Sequence, residues 1–166
     1  VQAMLSFCKR KCLERKKPYL RLNLSSDSVA GKIALAMGAT QDMQYAFQVK
    51  FADEALFLKK IAPLLEKRIA QSIFKGLSAT FRIDFYRQQV DLVFENGRLA
   101  AVQSGEGECE KILRVCADLF PALRLGYRSW RELRLCRPDI WPLTAEAGML
   151  VDVLFPKRSS WIYQQY

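Results

Sequence analysis

Apolar residues along this chain recur at two periods, and the change from one to the other marks its organisation. Met4, Leu5, Cys8, Cys12 and Leu13 recur at helical spacing among basic residues. That spacing predicts a helix over 1–15, ended by Pro18. Residues 19–24 then alternate, with Leu20, Leu22 and Leu24 set against Tyr19, Arg21 and Asn23. This is the pattern of a strand with one buried face. Ser25, Ser26 and Asp27 are all good N-cap residues for a following helix through Ala30, Ile33, Ala34 and Met37. Gly38 is a natural stop for it. Residues 45–51 read as a further strand, so the order helix, strand, helix, strand ends near residue 51.

A second pattern begins at Asp53-Glu54. Leu56, Phe57, Ile61, Leu64, Leu65 and Ile69 form a helical stripe, which Pro63 kinks or divides. After Gly76 the period becomes two. Phe81, Ile83 and Phe85 alternate with Arg82, Asp84 and Tyr86, then Val90, Leu92 and Phe94 with Asp91, Val93 and Glu95. With a third strand over 98–103, and connections at Gln88-Gln89 and Asn96-Gly97, this predicts an antiparallel meander. Ile112, Leu113, Cys116, Leu119 and Phe120 suggest a helix broken at Pro121. Ser129 and Glu132 form a capping box opening a helix to Cys136. Pro138 and Pro142 bracket a turn, and a last helix covers 145–155. The tail, 156–166, holds Trp161, Tyr163 and Tyr166, an aromatic content that suits a docked segment.

Composition narrows the chemistry. There is no histidine, so no His-based acid, base or metal site exists in these 166 residues. Cys8, Cys12, Cys109, Cys116 and Cys136 form no CxxC pair; buried, reduced thiols of a cytoplasmic protein explain them better than a metal does. No apolar run approaches the roughly 20 residues that cross a bilayer, and no membrane association is expected. The chain begins without a start methionine or a signal peptide, as a piece of a longer protein does. The net charge of +9 is largely local, with Lys9, Arg10, Lys11, Arg15, Lys16, Lys17 and Arg21 facing only Glu14. With no recognisable module and no interleaved aromatics, the excess does not call for nucleic acid. Gly105-Glu106-Gly107 lacks the Lys-Ser/Thr of a phosphate loop.

Two resemblances supply what generic motifs do not. From Tyr-Leu-Arg-Leu-Asn-Leu-Ser-Ser-Asp through Met-Gly-Ala to Tyr-Ala-Phe-Gln-Val, residues 19–51 resemble the last third of the GNAT acetyltransferase superfamily. There a strand leads into a helix patterned Asn-x-x-Ala-x-x-Leu-Tyr-x-x-x-Gly-Phe, then a final strand. Asp27, Ala30, Ile33, Ala34 and Ala39 fall on those positions, and Ala34 stands where many members carry the tyrosine that protonates the leaving thiolate. The second resemblance covers 45–163. The segments Ile-Ala-Pro-Leu-Leu-Glu from 61, Phe-Glu-Asn-Gly-Arg-Leu from 94, Gly-Tyr-Arg-Ser from 126 and Leu-Phe-Pro-Lys-Arg from 154 are similar to the C-terminal domain of acetyltransferases related to the enhanced intracellular survival family. That domain resembles a sterol carrier protein, a sheet with helices packed on it.

The resemblances imply an α+β chain. Residues 1–51 would be the rear of a GNAT fold whose pyrophosphate loop lies upstream, and 52–166 a sterol-carrier-like domain with an antiparallel sheet. They imply a fragment of an acetyl-CoA-dependent N-acetyltransferase, an acyltransferase acting on a small or peptide primary amine, with no metal and a homo-oligomeric assembly. Asn23, Ser25, Ser26 and Asp27 would contact the pantetheine arm of acetyl-CoA, or else only cap a helix and end a strand. The carboxylate of Tyr166 would be the general base if it is the true terminus, or an ordinary tail residue. Trp130, Trp141 and Trp161 would line an apolar pocket or pack in the core. Two other roles stay open for the C-terminal domain: an apolar-ligand module holding lipid between sheet and helices, and a purely structural oligomerisation domain.

Overall fold

The computed structural model describes residues 1–42, 47–160 and 162. Its contacts divide into two compact units, Val1–Phe47 with Trp161–Tyr166, and Gln48–Ser160.

In the first unit α1 (Gln2–Glu14) packs on α2 (Val29–Ala36). Among the described residues Leu5 and Ala34 are its buried apolar side chains, whereas Met4, Phe7, Leu13, Tyr19 and Val29 are exposed. The expected strand over 19–24 is not formed; the segment is irregular and belongs to no ladder. Alternation makes a strand only where a neighbour takes its backbone N–H and C=O groups, and among the described residues no strand lies beside this one. Of the strand expected over 45–51, residues 43–46 lie outside the described residues, and 47–51 are irregular. The helix–strand–helix–strand half therefore stands, as described, as two helices and irregular connections. The cap of α2 also differs from expectation. Ser28, not Ser25, Ser26 or Asp27, accepts the Gly31 N–H at 3.0 Å. Its hydroxyl donates to the Ser25 carbonyl at 2.7 Å. A Cβ at residue 31 would lie 2.1 Å from that carbonyl, so the turn closes only over glycine.

The second unit begins with α3 (Glu54–Lys60), capped by Asp53, and α4 (Ala62–Ala70). Pro63 divides them as expected, sitting in the first turn of α4, where a missing N–H costs nothing. The meander follows as β1 (Ala79–Asp84), β2 (Gln89–Glu95) and β3 (Arg98–Ser104). Asn96 and Gly97, at φ 49° and 80°, make the turn between β2 and β3. The first connection lies earlier than expected: β1 pairs with β2 as Ile83 opposite Val90 and Asp84 opposite Gln89, which centres the turn on Tyr86-Arg87 rather than Gln88-Gln89.

Beyond the meander the structure corrects the sequence reading. Residues expected to open a helix at 112 form β4 (Lys111–Val115), with Leu113 and Val115 inward. A period of two was hidden in that short apolar run, which periodicity alone does not separate from helix. Pro121 opens a helix, α5 (Phe120–Arg124), instead of breaking one. Then come α6 (Trp130–Cys136), a short β5 (Ile140–Pro142) where a turn was expected, and α7 (Ala145–Leu154). The sheet order is β3-β2-β1-β4-β5. Because β4 runs parallel to β1, the sheet is mixed rather than antiparallel throughout.

Period two sends Phe81, Ile83, Leu92, Phe94 and Leu113 to one face of the sheet, all at most 1% exposed. Helices α3, α4 and α7 contact this sheet. They contribute Leu58, Leu65, Ile69, Leu150, Val151 and Leu154 to the same buried cluster. Phe120 joins it, edge to face with Phe85 and Phe155 at centroid distances of 5.2 and 5.5 Å. Truncating such a phenylalanine costs about 3–5 kcal/mol.

The capping box of α6 forms as expected, with Ser129 and Glu132 exchanging hydrogen bonds. Lys157 donates to Glu132 at 2.5 Å, and together with Ser129 this holds the Glu132 carboxyl down to about 2 from 4.5. A depressed folded-state pKa adds stability that is full above the unfolded value and disappears as pH falls through the folded one. Glu132→Gln is therefore expected to lower the melting temperature at pH 7. The gap to the parent chain should close between pH 4.5 and about 2. A gap that does not change across that range would contradict the pairing.

Candidate functional site

The second face of the sheet is where polar chemistry gathers. Thr80, Arg82 and Asp84 of β1 point away from the helices, and the register sets Arg82 opposite Asp91. Arg82 grips that carboxylate side-on, Nε to Oδ1 at 2.7 Å and Nη2 to Oδ2 at 2.9 Å. Both side chains are about 5% exposed. The remaining guanidinium donors reach the loop after β3: Nη1 donates to the Gly107 carbonyl at 2.8 Å and Nη2 to that of Glu106 at 2.7 Å. The bond to Asp91 raises the pKa of Arg82, so the cation is permanent. The loop folds this closely because residue 105 is glycine. A Cβ there would meet the Gln89 Cβ at 2.6 Å and the Arg82 Nε at 2.9 Å.

Next to this pair, Arg114 of β4 donates to Asp84 at 3.2 Å and lies 5.9 Å from the Trp141 ring. Tyr86 meets Trp141 edge to face at 6.4 Å, and its N–H donates to Asp84 at 2.8 Å. Trp141 is thus a half-buried member of a polar row, and Trp130 packs against the core cluster. Trp161 lies outside the described residues.

Under the 105–110 loop, an open groove of about 540 Å³ is lined by Arg82, Gly107, Glu108, Cys109, Glu110 and Ile112. It shares Glu108, Cys109 and Glu110 with a smaller neighbour of about 210 Å³. The Cys109 sulfur lies 3.4 and 3.6 Å from the carbonyls of Thr80 and Lys111, within reach of either for its one S–H. Each of the three Arg82 guanidinium nitrogens donates to Asp91 or to the loop. The arrangement holds a loop on a sheet, and it presents no nucleophile beside a base.

The sequence-predicted residues lie elsewhere. Ser25, Ser26 and Asp27 share the turn before α2, where the Ser25 hydroxyl accepts the Asp27 N–H at 3.3 Å. Asn23 precedes that turn. The turn carries its own hydrogen bonds, and the cap of α2 is Ser28. Ala34 is buried, without a hydroxyl to donate. Tyr166 lies outside the described residues.

What sequence reasoning missed are the buried ions Arg82, Asp84, Asp91 and Arg124. The signal was present in charged residues at same-face strand positions. Reading it required the turn at Tyr86-Arg87, since only that register sets Arg82 opposite Asp91.

Gly105→Ala should destabilise the chain by about 1–3 kcal/mol in urea unfolding, through overpacking against the pair. Asp91→Ala should cost about 3–5 kcal/mol, because it strands the buried Arg82 charge. Arg82→Met together with Asp91→Leu should recover most of that loss. A double variant as unstable as Asp91→Ala would show that the pair is not the unit that matters.

No protein-family model and no curated protein matches this chain. Among solved structures, one described as "UbiJ-SCP2 Ubiquinone synthesis protein" is similar, with 16% identity and a TM-score of 0.41 over 64% of this chain and 93% of that one. A superposition of that extent leaves the fold to be argued from this chain's own sheet and helices: an α+β unit with a five-stranded mixed sheet.

Proposed function

We propose that residues 48–160 are a non-catalytic accessory module of sterol-carrier kind, working as a scaffold for a partner domain. One observation carries this reading. The space between sheet and helices, where a carrier would hold an apolar ligand, is occupied by Phe81, Phe94, Phe120, Phe155, Leu58 and Leu65, each at most 2% exposed. Interiors packed this way tolerate no extra guest without displacing side chains. Native mass spectrometry of the purified chain is the test. The expected spectrum holds the polypeptide mass alone, whereas a lipid released in stoichiometric amount would replace the scaffold by the carrier reading.

A second reading concerns residues 1–47, and their exposed apolar surface favours it. Among the described residues of this unit the buried apolar side chains are Leu5 and Ala34, while Met4, Phe7, Leu13 and Val29 lie in solvent, more exposed apolar surface than a self-contained core leaves. That is the surface expected of part of a larger fold, and the resemblance to acetyl-CoA-dependent N-acetyltransferases proposes which. In that reading the parent transfers acetyl to a primary amine, and the scaffold module supports it in a homo-oligomer. Ser25–Asp27 would then flank the pantetheine arm, and Ala34 leaves protonation of the leaving thiolate to another group. Calorimetry on the full-length parent should give heat with acetyl-CoA. A flat titration would remove the acetyltransferase reading while leaving the scaffold reading of 48–160 intact.

A further inference from the structure

Residues 48–52 open the second unit, directly after the first one ends, and they are irregular. Among the described residues none of them exchanges a backbone hydrogen bond with the sheet or the helices. The first fixed point beyond them is Asp53, whose carboxylate accepts the Leu56 N–H at 2.8 Å and caps α3. Between Lys50 and Ala52, both exposed, Phe51 turns inward and is half-buried. Its ring meets that of Phe57 edge to face at 4.6 Å, and its centre lies 3.4 Å from the guanidinium carbon of Arg124.

Arg124, the last residue of α5, has a side chain with no exposure at all. Glu54 accepts from its Nη1, and the rings of Phe57 and Phe120 lie 4.5 and 5.1 Å from the guanidinium carbon. Those two rings stand on helices and pack with the buried cluster. Phe51 is nearer to the cation than either, and it stands on no element of regular structure. It is the one wall of the enclosure that can leave without unfolding a helix.

Effects of comparable size oppose each other at this wall. A desolvated cation–π contact and the partial burial of one ring hold Phe51 down. Against them, Nε and Nη2 of Arg124 have no acceptor among the described residues, and N–H groups shut away from water unpaired are costly. Burial also lowers the Arg124 pKa to about 10, so the cation gains by meeting water.

We propose that residues 48–52 form a strap, latched by the Phe51 ring over Arg124, which opens as a local unit while the sheet and helices of the second unit stay folded. Closed, the free chain leading to this unit ends at Phe51. Open, it ends at Asp53, and Arg124 is hydrated beside Glu54.

The test is hydrogen exchange of the Arg124 Nε–H in the whole chain, followed by NMR as urea is added below the unfolding transition. The reference is the backbone N–H of Leu92, on a strand paired on both sides. A strap predicts Nε–H exchange that hardly changes with urea, because a local opening exposes little surface, while Leu92 exchange climbs with global unfolding. Phe51→Ala should speed the Nε–H exchange about tenfold or more, since the open form then loses its competitor. An Nε–H whose exchange climbs with urea in parallel with Leu92 would overturn the strap. So would a rate that Phe51→Ala leaves unchanged. Should that variant fail to fold, the urea dependence in the parent chain decides alone.

Discussion

Every residue of β1 has to be satisfied on both sides of the sheet, and most of the Gln48–Ser160 unit follows from that. The strand lies between β2 and β4, which flank its residues 81–84 on both sides. Phe81 and Ile83 need an apolar cover, which α4, α7 and the phenylalanines of 85, 120 and 155 supply. Arg82 and Asp84 need counter-charges, which Asp91 and Arg114 supply from the two flanking strands. One strand thereby fixes the register of both neighbours. A slip by one residue would put the guanidinium among the phenylalanines.

How much of this could be read beforehand depends on how local each signal is. The β2–β3 hairpin was legible because Asn96-Gly97 states its turn in two residues. The α6 capping box was legible because Ser129 and Glu132 state it in four. β4 was not, since the run from Ile112 to Val115 fits helix and strand alike, and pairing with a strand thirty residues earlier decides it. The expected strand over 19–24 shows the converse, because alternation describes a side-chain pattern but a strand also needs a neighbour. The candidate site was least legible. Arg82 and Arg124 resemble surface residues by type, and only the tertiary register or helix placement turns them inward.

The two buried arginines define what this chain can do. Arg82 donates from all three of its guanidinium nitrogens and acts as a fastener, drawing the 105–110 loop onto the sheet. Arg124 is buried among Phe51, Phe57 and Phe120, with Glu54 on its Nη1. The filled apolar interior is what the scaffold reading rests on.

The central claim is that the chain's own side chains fill the layer between sheet and helices. Crystals pressurised with xenon test it directly, because xenon enters apolar voids without needing hydrogen bonds. The account predicts no xenon density among Phe81, Phe94, Leu65 and Leu150. A well-occupied xenon atom there would reveal room for a ligand and contradict it.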